Sequence, residues 1–154
     1  HLVAMNTPLE VDIYGHVNST HIDGSRIVNG LGGSGDFFRN AYLSIAHTPS
    51  IRRLHDGRTV SCVLPFLAHV DHTEHDIKCI VTEQGYAASL GIGSPQARAH
   101  AIIERCAHPH FRPLLRDALG LVGDTHVTAA DRQTRLAGWW RHYDAACIDF
   151  PATP

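Results

Sequence analysis

The chain has 154 residues and a mass of 16.9 kDa, the size of a single domain or of a piece of a larger one. Thirteen basic residues against fifteen acidic ones give a net charge of −2, which excludes the basic stripe of a dedicated nucleic-acid-binding protein and an electrostatic membrane anchor. The composition, 44% hydrophobic and 18% charged, is globular, and no apolar run approaches the roughly 20 residues that cross a bilayer.

Glycine and β-branched residues dominate the first half of the chain and predict short strands and turns. We expect strands at 2–5, 11–14, 17–20, 60–67 and 77–82. A short helix is expected at 36–40, capped by Ser34 or Gly35, and residues 41–46 either continue it or form a strand. Pro49 ends this segment, because the residue before a proline is pushed out of the helical region.

Alanine, leucine and arginine dominate the second half and predict three helices, which begin at Pro95 after Ser94, at Pro109 and after Thr128. Gly120 and Gly123 are expected to end the second of them. The positions expected to face inward are Ala99, Ile102, Ile103 and Cys106 in the first helix and Phe111, Leu114, Leu115 and Ala118 in the second. Strands followed by helices predict a layered α/β domain whose pattern is incomplete.

Four cysteines (Cys62, Cys79, Cys106 and Cys147) lie far apart without a CxxC pair. This spacing predicts free, mostly buried thiols in a reducing compartment, and hence a cytoplasmic protein. The sequence shows no signal peptide. Because the chain begins at His1 and Met5 is its single methionine, we expect the natural start to lie upstream.

Four glycines in the loop 30–35 allow a backbone to approach a ligand closely, and consecutive N–H groups there would suit an anion or an oxyanion. A plain tight turn explains the same glycines equally well. Glu83 follows the strand predicted at 77–82, where α/β sheets usually place their ligands. Burial would raise its pKa and suit acid/base work, although a surface glutamate before a turn is the commoner case.

His69, His72 and His75 are spaced by three and separated by carboxylates, which resembles a set of metal ligands. The segment joins two predicted strands, however, so a polar hydrogen-bonded loop is favoured over a metal site. Arg52 and Arg53 would suit phosphate, and a solvated loop is the alternative.

Several stretches together resemble the acetyl-CoA hydrolase/acetate CoA-transferase family. They are residues 10–21, the glycine-rich run 29–37, the histidine segment 69–76 with 81–85 (VTEQG), and 105–109 (RCAHP). They follow the family's order and spacing over roughly residues 1–118. The resemblance implies a partial α/β CoA-transferase-type domain, a mixed sheet with flanking helices, at residues 1–120, and a divergent helical tail at residues 121–154.

The implied activity moves CoA between short-chain carboxylic acids, such as succinyl-CoA and acetate, through a glutamyl-CoA thioester. The nucleophilic glutamate belongs to a missing N-terminal domain, and the full-length protein is expected to form a homodimer. Acyl-CoA and carboxylate are the expected ligands, without metal, nucleic acid or membrane.

The resemblance assigns Gly32 and Gly33 to the reactive end of CoA, with Gly33 as the best single position. It makes Glu83 a supporting catalytic residue that positions the acyl group, and it places Arg53 and Leu9 against CoA. It also makes the histidine segment a structural turn.

Residues 87–93 lack the aspartate and arginine that relatives usually carry after VTEQG. Two alternatives therefore stay open, a histidine-based metal-binding module and a truncated product without independent activity.

Overall fold

A computed structural model describes residues 1–22, 24–89, 93–123 and 126–151. The α-helices are α1 (Ser34–Asn40), α2 (Pro95–Cys106), α3 (Arg112–Gly123) and α4 (Ala129–Ile148), and a 3₁₀ turn at Pro109–Phe111 precedes α3. The strands are β1 (Val3–Asn6), β2 (Glu10–Asp12), β3 (Val17–Asn18), β4 (His21–Ile22), β5 (Arg26–Ile27), β6 (Leu43–His47), β7 (Ile51–Arg53), β8 (Thr59–Ser61), β9 (Val63–Leu64), β10 (Cys79–Thr82) and β11 (Gly85–Ala88).

The main sheet has the strand order β1-β6-β10-β11. Strand β6 pairs in parallel with β1 and with β10, whereas β10 and β11 form an antiparallel hairpin. Parallel neighbours need a crossover connection, and α1 lies within the one that joins β1 to β6. The predicted α/β class and mixed sheet are confirmed.

One face of this sheet forms the core. Ala4, Ala46, Ile80 and Ala87 are buried on it, and α1 and α2 pack against the sheet. The stripe predicted on α2 is fully buried, and the Ser94 hydroxyl caps that helix by accepting from the Ala97 N–H, as expected. Alternation along the strands therefore fixes which residues contact the helices.

The opposite face is open. Val3, Met5 and Tyr86 project from it and are 50%, 61% and 62% exposed. Sheets with parallel pairing are normally covered on both faces. Among the described residues, this face is therefore the surface best suited to receive a further layer.

A second sheet has the order β3-β2-β9, and β4-β5 and β7-β8 form two hairpins. The single strand predicted at 60–67 is wrong, because β8 pairs with β7 whereas β9 pairs with β2. Ser61 is the local cause. Its hydroxyl donates to the Val63 carbonyl and accepts from the Val63 N–H, which turns the chain between the two strands.

Other boundaries also differ from expectation. Helix α1 starts at Ser34 after Gly33, without a side-chain cap, and residues 41–46 contribute to a strand. Gly120 does not end α3, which continues to Gly123. The expected strand at 11–14 begins at Glu10 and ends at Asp12, and the strands β4, β5, β7 and β11 are absent from the expectation. A proline and a short turn obscure the alternation of β7 and β11, and β4 and β5 are only two residues long.

Helix α4 belongs to the same core as the sheets. Thr128 caps it as predicted, and the Trp139 indole N–H donates to the Leu114 carbonyl over 2.6 Å. The Tyr143 hydroxyl accepts from the Ser61 N–H over 3.0 Å. The predicted boundary at residue 120 stays a prediction, but the helix beyond it is tied to both α3 and β8.

All four cysteines are free and buried, which confirms the expectation for the thiols. Within the described parts of the chain, no helix combines the length and the hydropathy needed to cross a membrane.

The turn around Gly15 is fastened by His16. Gly15 has φ +96°, and a Cβ there would lie 2.6 Å from the Arg98 guanidinium, so this turn requires glycine. His16 Nδ1 lies 2.8 Å from Asp12 Oδ2, and His16 Nε2 lies 2.6 Å from Glu74 Oε2. The hydrogen bond to Asp12 raises the pKa of His16 above its ordinary value and outweighs the lowering caused by burial.

Replacing Tyr143 with Phe is expected to lower the free energy of unfolding by about 1–3 kcal/mol, because the buried Ser61 N–H loses its acceptor. Urea denaturation measures the change. Tyr86→Phe is the matched control and should change it by less than about 0.5 kcal/mol, because Tyr86 is exposed. An equal loss in both variants would contradict the role given to the Tyr143 hydroxyl.

The His16 contacts predict a pH-dependent stability. A raised folded-state pKa means that the stabilisation is complete below the unfolded-state value of about 6.5 and is lost as the pH rises through the folded-state pKa. The difference in unfolding free energy between wild type and His16→Gln should therefore be largest below the unfolded-state pKa and should shrink as the pH rises through the raised folded-state pKa. His55→Gln is the control, because His55 is an exposed histidine in a different part of the domain. If the difference in unfolding free energy between wild type and His16→Gln does not change with pH, the contacts of protonated His16 do not stabilise the fold.

Candidate functional site

The parallel strands β1, β6 and β10 end at one edge of the main sheet, at Asn6, His47 and Thr82. Glu83 follows β10 directly at this edge. The neighbouring strand ends are linked, since Thr7 Oγ1 lies 2.8 Å from His47 Nε2. The carboxyl edge of parallel strands is where open α/β sheets bind ligands.

Ser50 holds the Glu83 carboxylate in place. The Ser50 N–H donates to Oε2 over 2.8 Å, and the Ser50 hydroxyl donates to Oε1. The Gln84 amide adds a hydrogen bond of 3.1 Å to Oε1. Ser50 itself is completely buried, so the carboxylate is anchored to the rigid part of the domain.

Burial and hydrogen bonding act on the Glu83 pKa in opposite directions. Burial raises it, but the hydrogen bonds from Ser50 and Gln84 outweigh burial, and the pKa lies below its ordinary value. The residue is exposed, which confirms the commoner case of a surface glutamate before a turn, and the raised pKa that burial would have caused does not occur. An ionised, oriented carboxylate suits electrostatic positioning better than proton donation at neutral pH.

Strand β7 connects Glu83 to the predicted CoA contacts. It begins one residue after Ser50, and Arg52 within it lies 3.7 Å from the Glu10 carboxylate. Side chains alternate along a strand, so Arg53 projects to the other side of β7, where it is exposed.

On the other side of Glu10, the chain near Leu9 is tied to β3. Asn18 donates to Glu10 Oε1 over 2.8 Å and accepts from the Leu9 N–H through its carbonyl over 2.9 Å. Hydrogen bonds, the contact of Arg52 with Glu10 and the peptide bonds between neighbouring residues thus connect Leu9, Arg53 and Glu83. That the three residues share one CoA site stays a prediction.

The glycine-rich loop lies next to this region. The Asn29 amide donates to the Ser19 carbonyl over 3.3 Å, which places the start of the loop beside β3. Gly32 has φ +57°, whereas Gly33 has φ −87° and only precedes α1. The backbone therefore requires glycine at position 32. A Cβ at Gly33 would lie 3.1 Å from the ring of Phe37, which is exposed and can move.

The three histidines of the predicted metal set occupy three different environments. His72 is 2% exposed, and its Nε2 lies 3.0 Å from the Ser34 hydroxyl. His75 is exposed beside Glu74, whereas His69 Nε2 lies 3.1 Å from Asp71 Oδ1. The hypothesis of a joint site of His69, His72 and His75 is therefore wrong, since only His69 lies among groups able to share an ion.

Sequence reasoning missed Ser50 and His21. Ser50 follows a proline in an unremarkable run, and its role depends on the pairing of β6 with β10. His21 lies 48 positions before His69, yet their ring centroids are 3.6 Å apart. The role of either residue can be recognised only from its contacts in the folded chain.

A cleft between two helices lies apart from the predicted site residues. It has a volume of about 590 Å³, separates α3 from α4 and is lined by Arg116, Leu121, Trp139 and His142 among others. It contains none of the predicted site residues. Gly32, Gly33, Arg53 and Glu83 are each exposed on the surface.

A mixed sheet with flanking helices and a positioned carboxylate at its carboxyl edge defines the class of this domain as α/β. The family comparison is specific. The model of the acetyl-CoA hydrolase/transferase C-terminal domain matches residues 1–119, and the chain belongs to this family.

Curated relatives support the same assignment. Acetyl-CoA hydrolase of Candida albicans is 56% identical over 117 residues, which are 75% of this chain and 22% of the relative. Acetyl-CoA hydrolase of Saccharomyces cerevisiae is 55% identical over 119 residues, 77% of this chain and 22% of the relative. The chain thus spans about 22% of the length of these relatives.

Solved structures show the same fold. RipA from Yersinia pestis aligns with a TM-score of 0.65 and 38% identity, over 77% of this chain and 27% of that one. The putative alpha subunit of citrate lyase from Streptococcus mutans aligns with a TM-score of 0.52 and 21% identity, over 81% of this chain and 23% of that one, a likeness of fold alone.

The anchoring of Glu83 predicts that Ser50→Ala raises the Glu83 pKa, because the carboxylate loses its side-chain donor while the burial remains. Carboxyl-carbon NMR titration of Glu83 measures the shift. Ser25→Ala, in an exposed turn, is the control and should leave the titration unchanged. An unchanged or lowered Glu83 pKa in Ser50→Ala would remove Ser50 from this role.

Proposed function

We propose that this domain forms the CoA- and acyl-binding wall of a CoA-transferase or acyl-CoA hydrolase. The enzyme would move CoA between short-chain carboxylic acids through a glutamyl-CoA thioester, with its nucleophilic glutamate on chain outside these 154 residues. The observation that carries the proposal is the oriented Glu83 carboxylate, connected through Ser50, Arg52 and Glu10 to the residues expected to contact CoA.

Each predicted residue has a chemical task in this proposal. The backbone at Gly32 and Gly33 approaches the thioester end of CoA, where a side chain would intrude. Arg53 offers an exposed guanidinium to a phosphate of CoA, and the Leu9 segment contributes backbone and apolar contact. The ionised Glu83 orients the acyl group and the nucleophile but does not attack.

The open architecture supports a division of labour between this domain and further chain. The predicted site residues lie on open surface, and the sheet face with Val3, Met5 and Tyr86 is uncovered. The family's curated relatives are between four and five times as long as the matched segment. We propose that an additional domain supplies the second wall and that the complete protein forms a homodimer.

The segment after Gly85 departs from the family pattern. Gly85 to Ala88 form β11, which packs against α2, whereas residues 90–92 lie outside the described residues. Retention of β11 supports an intact Glu83 environment despite the altered sequence. A truncated product without independent activity stays the alternative for the isolated chain.

A chimera tests the proposal. Residues 1–119 of this chain replace the matching segment of an acetyl-CoA hydrolase relative, and hydrolysis of acetyl-CoA is measured at saturating and limiting substrate. The chimera should turn over, and the isolated chain should not. Turnover by the isolated chain, or an inactive but folded chimera, would contradict the proposed division of labour.

Variants of the chimera separate the roles. Glu83→Gln is expected to lower kcat on the order of 100-fold through lost positioning, and Gly33→Val should weaken CoA binding by steric clash. Arg53→Ala should raise KM by about tenfold at low salt and by less at high salt, because a charge contact to phosphate is lost. Arg116→Ala is the control, since it removes an exposed ion pair with Glu104 that joins α2 and α3. An Arg53→Ala effect independent of salt would point to packing.

A further inference from the structure

His21, His69 and Asp71 form a cluster apart from the Glu83 region. One possible ligand atom from each residue lies within 4.8 Å of the others. The two imidazole rings lie against each other with centroids 3.6 Å apart, and His69 Nε2 lies 3.1 Å from Asp71 Oδ1. His21 is in β4 and the other two residues are in the segment before β10, so the fold alone brings them together.

Neighbouring groups orient the Asp71 carboxylate. The Ser19 N–H donates to Oδ2 over 2.7 Å, and the Thr20 hydroxyl lies 2.8 and 2.9 Å from the two carboxylate oxygens. The Asp71 side chain is only 8% exposed. Supporting hydrogen bonds of this kind are what hold the ligands of a metal ion in position.

The same Thr20 hydroxyl determines the tautomer of His21. An ionised carboxylate only accepts, so the Thr20 proton is donated to Asp71. His21 Nδ1, 2.7 Å from Thr20 Oγ1, must then donate its own proton to that oxygen. In the neutral imidazole the lone pair therefore lies on Nε2, the nitrogen left available to an ion.

From this arrangement we propose that His21, Asp71 and His69 bind a divalent transition-metal ion of the zinc class. Two imidazoles and one carboxylate are a common ligand set for Zn²⁺, and three protein ligands leave a fourth position to water. Around a tetrahedral ion with ligand distances of about 2.0–2.2 Å, ligand atoms are about 3.3–3.6 Å apart. The ligand atoms of the cluster, which lie within 4.8 Å of one another, would have to move closer together on binding, and both imidazoles are partly exposed.

The ion would fasten the β4-β5 hairpin to the segment before β10. This segment also carries His72, whose Nε2 contacts Ser34 at the end of the glycine-rich loop. Metal binding would thus stabilise the part of the domain that supports the loop, a structural role that does not depend on the proposed acyl-CoA chemistry. His72 and His75 take no part in the cluster.

The test uses the untagged 154-residue chain after removal of metals with a chelator. Calorimetric titration with ZnCl₂ at neutral pH should show one site, and Zn²⁺ should raise the Tm. His21→Gln and Asp71→Asn should each weaken zinc binding at least about tenfold and abolish the rise in Tm. His75→Ala and His100→Ala, at exposed histidines outside the cluster, should match wild type.

Circular dichroism of each metal-free variant shows whether it is folded. The absorption spectrum of bound Co²⁺ gives a second readout, because it reports a site of low coordination number. Absence of zinc binding by the wild-type chain would overturn the proposal. Zinc binding that persists in both His21→Gln and Asp71→Asn would also overturn it. An equal loss of zinc binding in His75→Ala would do the same, because the ion would then be held by surface histidines. Loss of binding confined to the cluster variants would establish the site.

Discussion

The parallel pairing of β6 with both β1 and β10 is the constraint on which the rest of this domain depends. It aligns three strand ends at one edge and brings Ser50, which follows β6, beside Glu83, which follows β10. The two residues are 33 positions apart, and neither has this environment without the strand register. The buried Ser50 then makes Glu83 a fixed, ionised group, although the residue itself is exposed.

An exposed but oriented carboxylate, exposed glycines and an uncovered sheet face have one common explanation. A protein that completed its pocket within these residues would bury its catalytic side chains and cover both faces of the sheet. This domain instead presents rigidly supported groups on an open surface. That combination supports the proposal of a composite site, and the chain spans about 22% of the length of its curated relatives.

The histidine segment shows how equal spacing in the sequence can lead to unequal chemistry. His69, His72 and His75 are three residues apart, but the segment is not a helix, so they do not share a face. His72 is buried against Ser34 and Phe38, and burial lowers its pKa, whereas His75 is exposed to solvent. His69 instead lies against His21 and close to Asp71. This grouping arises only in the folded chain, because His21 is far from the other two residues in the sequence.

The sequence by itself determined those features that depend on interactions between residues close together in the chain. The cap and buried stripe of α2, the cap of α4, the free cysteines and the α/β class follow from hydrogen bonding and periodicity within short windows. The family motifs predicted the candidate site residues. Only the tertiary structure decided the split at Ser61, the lowered pKa of Glu83 and the partners of the histidines, because each depends on groups far away in the chain that the strand register brings into contact.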